Sequence, residues 1–169
     1  VSTTPLHELK AELNHQHRQI TAMMQAVRTS GGPLRVEAFE QFRAFLAAHE
    51  AAEQTCMHGV ARAESSQDLT VVSDRVAEEV DAADALAHLE SLDLESPEFS
   101  DGFASLSEAI RAHAEAEEYR ELPAYHGVVS DEEVRVMVDR MRRVPHLAED
   151  SDGSLTFAQN LDRARHELG

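Results

Sequence analysis

Two short stretches of this 169-residue chain carry residue types and spacings that can do chemistry, Ala48 to Gln54 (AHEAAEQ) and Ala112 to Glu118 (AHAEAEE). Each sets a histidine and a glutamate four residues apart, His49 with Glu53 and His113 with Glu117. On a helix that spacing puts both side chains on one face about one turn apart. An imidazole and a carboxylate so placed can reach one metal ion, and two such pairs on facing helices can hold two ions with carboxylates between them.

The elements that would position these pairs are helices. Leu9, Leu13, His17, Ile20, Met24 and Val27 recur at threes and fours and form one seam of a first helix, opened by Thr4-Pro5 and closed by Ser30-Gly31-Gly32. A second helix follows Pro33 and carries Phe39, Phe42, Leu46, His49, Glu53, Met57 and Val60 on one stripe. After a polar stretch from Arg62 to Asp68, a third helical pattern starts between Gln67 and Asp74 and runs to about Leu92, with the seam Val76, Glu79, Ala83, Leu86. Ser96-Pro97 opens a fourth helix, with Phe103, Leu106, Ile110, His113 and Glu117 on one face, that stops near Pro123. Pro33 to His49 and Pro97 to His113 are both 16 residues, so each half reads as helix, turn, proline, helix with its pair at the same depth. The expected fold is all-α, an antiparallel up-down-up-down four-helix bundle over residues 1–126. Residues 127–169 are expected to add a short fifth helix behind the capping box Ser130-Asp131-Glu132-Glu133, then a polar tail and a last helix from about Leu155 to Leu168, packed on the bundle's outside or over one end.

A polar residue on an apolar seam has to be satisfied, because burying it unpaired costs several kcal/mol. A buried His-Glu hydrogen bond would do this without any metal. Two pairs at matched depth, joined by a third seam histidine, favour metal. That third histidine is His17, which lies as far before Pro33 as His49 lies after it; His7 and His15 fall off the seam. Helix 3 supplies no such histidine. His88 lies only nine residues before Pro97, about 10 Å too near the turn, and on the side of Asp81 and Asp84. Glu79 lies on the seam at about the right depth, so the candidate ligands are His17, His49, Glu53, Glu79, His113 and Glu117, with Glu79 against His88 left as the open choice. Glu121, one turn beyond Glu117, has three readings, a carboxylate supporting the ligands from behind, a further ligand, or an exposed residue where the helix leaves the core, of which the last is preferred; Cys56 and Met57 read as core.

These residues resemble the hemerythrin-like, or HHE cation-binding, family. The likeness rests on His17 in HRQI, on His49 and Glu53 in HEAAE, on His113 and Glu117 in HAEAE followed by Leu122-Pro123, and on LESLDLESPEF from Leu89 to Phe99. It covers roughly residues 5 to 126. The resemblance implies two iron ions, oxo- or hydroxo-bridged, with Glu53 and Glu117 bridging and His17, His49 and His113 terminal. It also implies a non-haem protein that binds or reacts with O2, peroxide or nitric oxide. The alternative is an iron- or oxygen-sensing or O2-storage module without turnover, and whether a peroxidase, catalase-like or oxidase activity is present stays open. The family usually has a histidine near Glu79. An anionic ligand there stabilises the ferric state relative to imidazole, which favours oxidation or peroxide chemistry over reversible oxygenation.

Composition narrows the partners. Fifteen basic against 32 acidic residues, a formal charge of −17, argue against nucleic acid and anionic membrane and for cations or small molecules. One cysteine allows no internal disulfide and suits a reducing compartment. With no long apolar run or leader pattern, the expected location is the cytoplasm.

Overall fold

The computed structural model describes residues 4–64 and 69–169, with side chains described outside 56–76. The sequence readings of Cys56, Met57, Val60 and Val76 therefore lie outside the described side chains. Four long helices lead: α1 (Pro5–Thr29), α2 (Gly32–Glu64), α3 (Leu69–Leu89) and α4 (Pro97–Ala116). A π-helical turn (Glu117–Glu121) continues α4 into a one-turn α5 (Leu122–Ala124), followed by α6 (Asp131–Met141), α7 (Val144–Glu149) and α8 (Phe157–Leu168). No strand occurs among the described residues, and none of the helices is long and apolar enough to cross a membrane.

Local chemistry sets the boundaries. Thr4 and Ser96 cap α1 and α4 through their side chains, each ahead of a proline at the first helical position. Gly32 adopts φ 55°, a conformation open to glycine at little cost, and its N–H donates to Glu95 Oε1 at 2.8 Å. Arg35 donates to Ser30 O and to Leu94 O, both at 2.8 Å. The α1–α2 and α3–α4 turns are thereby tied together at one end.

Around this tie α1 packs on α2, α2 on α3, α3 on α4, and α4 back on α1. Near the turns the core is aromatic. Phe39, Phe42, Phe99 and Phe103 stack and cross with ring centroids 5.2 to 6.4 Å apart. Further from the turns the buried residues become histidine and glutamate, so the aromatic layer forms the dry floor of the polar cluster above it.

Of the two expected placements, the C-terminal segment takes the one along the long helices rather than over one end. Helix α6 packs on α1 and α2, α7 on α2, and α8 on α2 and α3. Met137, Met141, Val144, Phe157 and Leu168 join the same buried cluster as the four long helices. Between the expected fifth helix and the polar tail a further short helix, α7, forms because Val144 and Leu147 bury against α2. As a consequence every side chain from Ala44 to Glu53 is buried, and the alanines at 44, 47, 48, 51 and 52 let neighbours approach α2 closely.

The Phe103 side chain is 1 % exposed and touches all three aromatic partners. Phe103→Ala is expected to lower unfolding stability by about 3–5 kcal/mol in a denaturant titration; a loss near zero would contradict this packing.

Candidate metal centre

Among the described residues, seven buried ionisable side chains meet above the aromatic layer. Helix α1 brings His17, α2 brings His49, Glu50 and Glu53, α3 brings Glu79, α4 brings His113, and the π turn brings Glu117. Glu53 and Glu117 have no exposed surface, and none of the seven is more than 9 % exposed. They form two overlapping groups, His17, His49, Glu53 and Glu117, and Glu50, Glu53, Glu79 and His113, in each of which the ligand atoms lie within 4.8 Å of one another.

Glu53 and Glu117 each face both sides. Glu53 Oε1 lies 2.9 Å from His49 Nε2 and 4.0 Å from His17 Nε2, while Oε2 lies 3.9 Å from His113 Nε2. Glu117 Oε2 lies 3.3 Å from His17 Nε2, and its Oε1 3.3 Å from His113 Nε2. A carboxylate with one oxygen toward each of two imidazole positions can serve a ligand group on either side.

The fit to cations is tested by what these atoms lack. His17 Nε2, His113 Nε2, Glu50 Oε2 and both oxygens of Glu53 and of Glu117 are buried with no aligned hydrogen bond. Each such group costs about 1–3 kcal/mol, and more when charged. They converge on one volume, and together offer imidazole nitrogen and carboxylate oxygen, a donor set suited to iron, manganese or zinc. The residues fit a metal centre.

The outer ring nitrogens are fully engaged. His17 Nδ1 donates to Glu118 Oε1 at 2.7 Å, His49 Nδ1 to Gln16 Oε1 at 2.9 Å, and His113 Nδ1 to Glu78 Oε2 at 3.2 Å. A proton held on Nδ1 leaves the Nε2 lone pair directed inward, the tautomer a ligand needs. Gln16 in turn donates to Met141 O at 2.7 Å and Gln54 to Glu79 Oε2 at 2.6 Å, and Arg165 of α8 donates to Gln54 Oε1 at 2.8 Å. The C-terminal helices thus reach the cluster through two amides.

Charge sets the protonation. Burial, with Glu53 and Glu79 adding repulsion, pushes the Glu50 carboxyl well above its usual range. Burial would raise Glu53 as well, but His49 and His113 hold it well below. Burial opposes a charge on His17 and on His113, yet Glu117 beside each raises both imidazoles. Without a cation the cluster balances its carboxylates with protons.

The six sequence candidates, His17, His49, Glu53, Glu79, His113 and Glu117, all fall in these two groups. His88 does not: its side chain is 63 % exposed and lies 3.8 Å from Glu98. His15 is exposed too. The reading of Glu121 as exposed is corrected. It is 2 % exposed and accepts a hydrogen bond from Tyr125 Oη at 2.8 Å, because the wider π turn keeps both Glu117 and Glu121 inward while Tyr119 stays 73 % exposed. Burial and the charge of Glu121 push the Tyr125 phenol up, so it remains a donor. Sequence reasoning missed Glu50 and Gln16, each adjacent to a seam histidine and off the seam itself. The available signal for Glu50 was the alanine-rich run around it, which marks a helix buried on more than one face.

Ligation requires neutral imidazole, whereas, over the opposing effect of burial, Glu117 raises the proton affinity of both His17 and His113 in the cation-free cluster. Binding is therefore expected to release protons and to weaken as pH falls. Calorimetric titration with ferrous iron, free of oxygen, in buffers of different ionisation enthalpy measures this; binding with no proton release would contradict the assigned protonation.

Comparison with curated proteins and with solved structures returns no match. The sequence profile described as the hemerythrin HHE cation-binding domain matches residues 8–125, which spans α1 to the start of the C-terminal segment and contains all seven residues of the cluster. This chain belongs to the hemerythrin HHE cation-binding family.

Proposed function

We propose that this chain is a non-haem di-iron protein that reacts with a small oxidant, namely O2, peroxide or nitric oxide. The observation that carries the reading is the pair of overlapping buried groups joined by Glu53, with Glu117 facing both sides. In this reading α1–α4 run alternately up and down, residues 1–126 form the bundle, and residues 127–169 brace it. His17 and His49 would hold one ion and His113, Glu79 and Glu50 the other, with Glu53 and Glu117 available to both. Iron held there would supply two-electron exchange with the oxidant.

The chain's own residues do the rest. Glu118, Gln16 and Glu78 orient the three imidazoles through Nδ1. Phe42 and Phe103, each 1 % exposed or less, keep water from the floor of the site. Glu79 and Glu50 on the second side replace imidazole with anionic donors and favour the ferric state. That preference supports oxidative chemistry over reversible O2 carriage. A cavity of about 250 Å³ between α1 and α4, lined by Asn14, Thr21, His17, His49, Glu50 and His113 among others, gives a diatomic molecule or hydrogen peroxide access.

A second reading has one specific support. Gln16 links His49 to Met141 O, and Gln54 links Glu79 to Arg165, so occupancy of the centre would be felt by α6 and α8, as a sensing module requires. A large metal-dependent gain in thermal stability without peroxide or nitric oxide turnover would favour it.

Metal analysis after iron-replete expression is expected to find about two iron ions per chain; less than about one would sink the di-iron reading. Glu79→Ala should lower that content and change the iron absorption spectrum, whereas His88→Ala should leave both as they are. The opposite pattern would put His88 in place of Glu79.

A further inference from the structure

The cavity between α1 and α4 is not the largest space beside the cluster. A groove of about 500 Å³ lies between α3 and α4 and reaches the second side of the centre at Glu50, Glu79 and His113. Its walls are Ala82, Ala85 and Leu89 from α3 and Leu106, Ala109 and Ile110 from α4. The shape follows from the sequence. At Gly102 a β-carbon would stand 2.9 Å from Leu89 Cδ2, so the two helices close tightly near their turn. Beyond it the alanines on both helices leave the interhelical space unfilled.

Three observations bear on the occupant. The volume far exceeds what a diatomic molecule or hydrogen peroxide needs, since a water takes roughly 30 Å³, and it falls in the range of small organic ligands. The walls are apolar, while the inner end presents Glu50, 7 % exposed, with an Oε2 that has no hydrogen-bond partner. Glu78, Glu79 and Asp81 line the same groove against His88 and His113, so carboxylates outnumber imidazoles there and an uncharged ligand is favoured over an anionic one.

We propose that the α3–α4 groove binds an uncharged organic molecule with an apolar body and one oxygen-bearing head, of the alkyl or arylalkyl hydroperoxide class, with the head toward Glu50 and His113. This rests on the di-iron reading for what the head meets, and on the groove alone for the binding. The narrower cavity between α1 and α4 then serves small ligands, and Glu50 lines both spaces.

The test uses cumyl alcohol, the stable reduced counterpart of an arylalkyl hydroperoxide, titrated into the full chain with iron content measured on the same sample. Ligand-observed NMR is expected to give saturable binding. Ala109→Phe, on the exposed lip, and Ala85→Asp, within the wall, should each weaken it about ten-fold at unchanged helicity. Gln41→Phe, on a separate surface cleft, should not. Absence of saturable binding in the parent chain, or equal binding by both groove variants, would overturn the proposal. Iron loading without cumyl alcohol binding would count against the groove alone. Cumyl alcohol binding that the groove variants weaken, in a chain that takes up no iron, would uphold the groove and count against the di-iron reading instead.

Discussion

Four carboxylates and three imidazoles share a volume from which water is nearly excluded, and the rest of the molecule is arranged around the cost of that. Two like charges about 4 Å apart repel by roughly 4 kcal/mol at an effective dielectric of 20, so a few such pairs would consume the whole stability of an ordinary domain. The raised proton affinities of His17, His113 and Glu50 relieve the repulsion in the absence of a cation, while several buried atoms still lack aligned partners. Two divalent cations would relieve it better, because each converts several orphaned donors into ligands at once.

Holding such a cluster open requires rigid surroundings, and α2 is the element that supplies them. It contributes three of the seven residues and is buried from Ala44 through Glu53 by neighbours on every side. The C-terminal helices account for much of that burial and, through Gln16 and Gln54, also reach His49 and Glu79. Residues far along the chain therefore belong to the same mechanical unit as the cluster. The π turn has a comparable role at the end of α4. Its wider winding keeps Glu117 directed at both histidine sides and folds Glu121 and Tyr125 inward beneath it.

Much of this was legible in the residues alone. Amphipathic seams with paired prolines locate the four long helices, and depth measured from the two turns selects His17 and Glu79 over His15 and His88. Seam reasoning has one blind spot. It assigns each helix a single buried face, so it overlooks Glu50 and Gln16, which face other neighbours of helices buried on more than one side. It could not anticipate the π turn either, because nothing in EEYRE distinguishes it from ordinary helix; the change of winding comes from tertiary packing, and with it the burial of Glu121. The α3–α4 groove escaped for a related reason, since alanine at 82, 85 and 109 suits a tight contact as well as an open one.

The central claim is that Glu53 and Glu117 are shared by two ions in one buried site. Anomalous diffraction at the iron edge from crystals of the iron-loaded protein tests it most directly. The account predicts two peaks about 3.5–4 Å apart, one beside His17 and His49 and the other beside His113, Glu79 and Glu50, with the two shared glutamates between them. A single peak, or iron bound at surface groups such as His88 and Glu98, would contradict it.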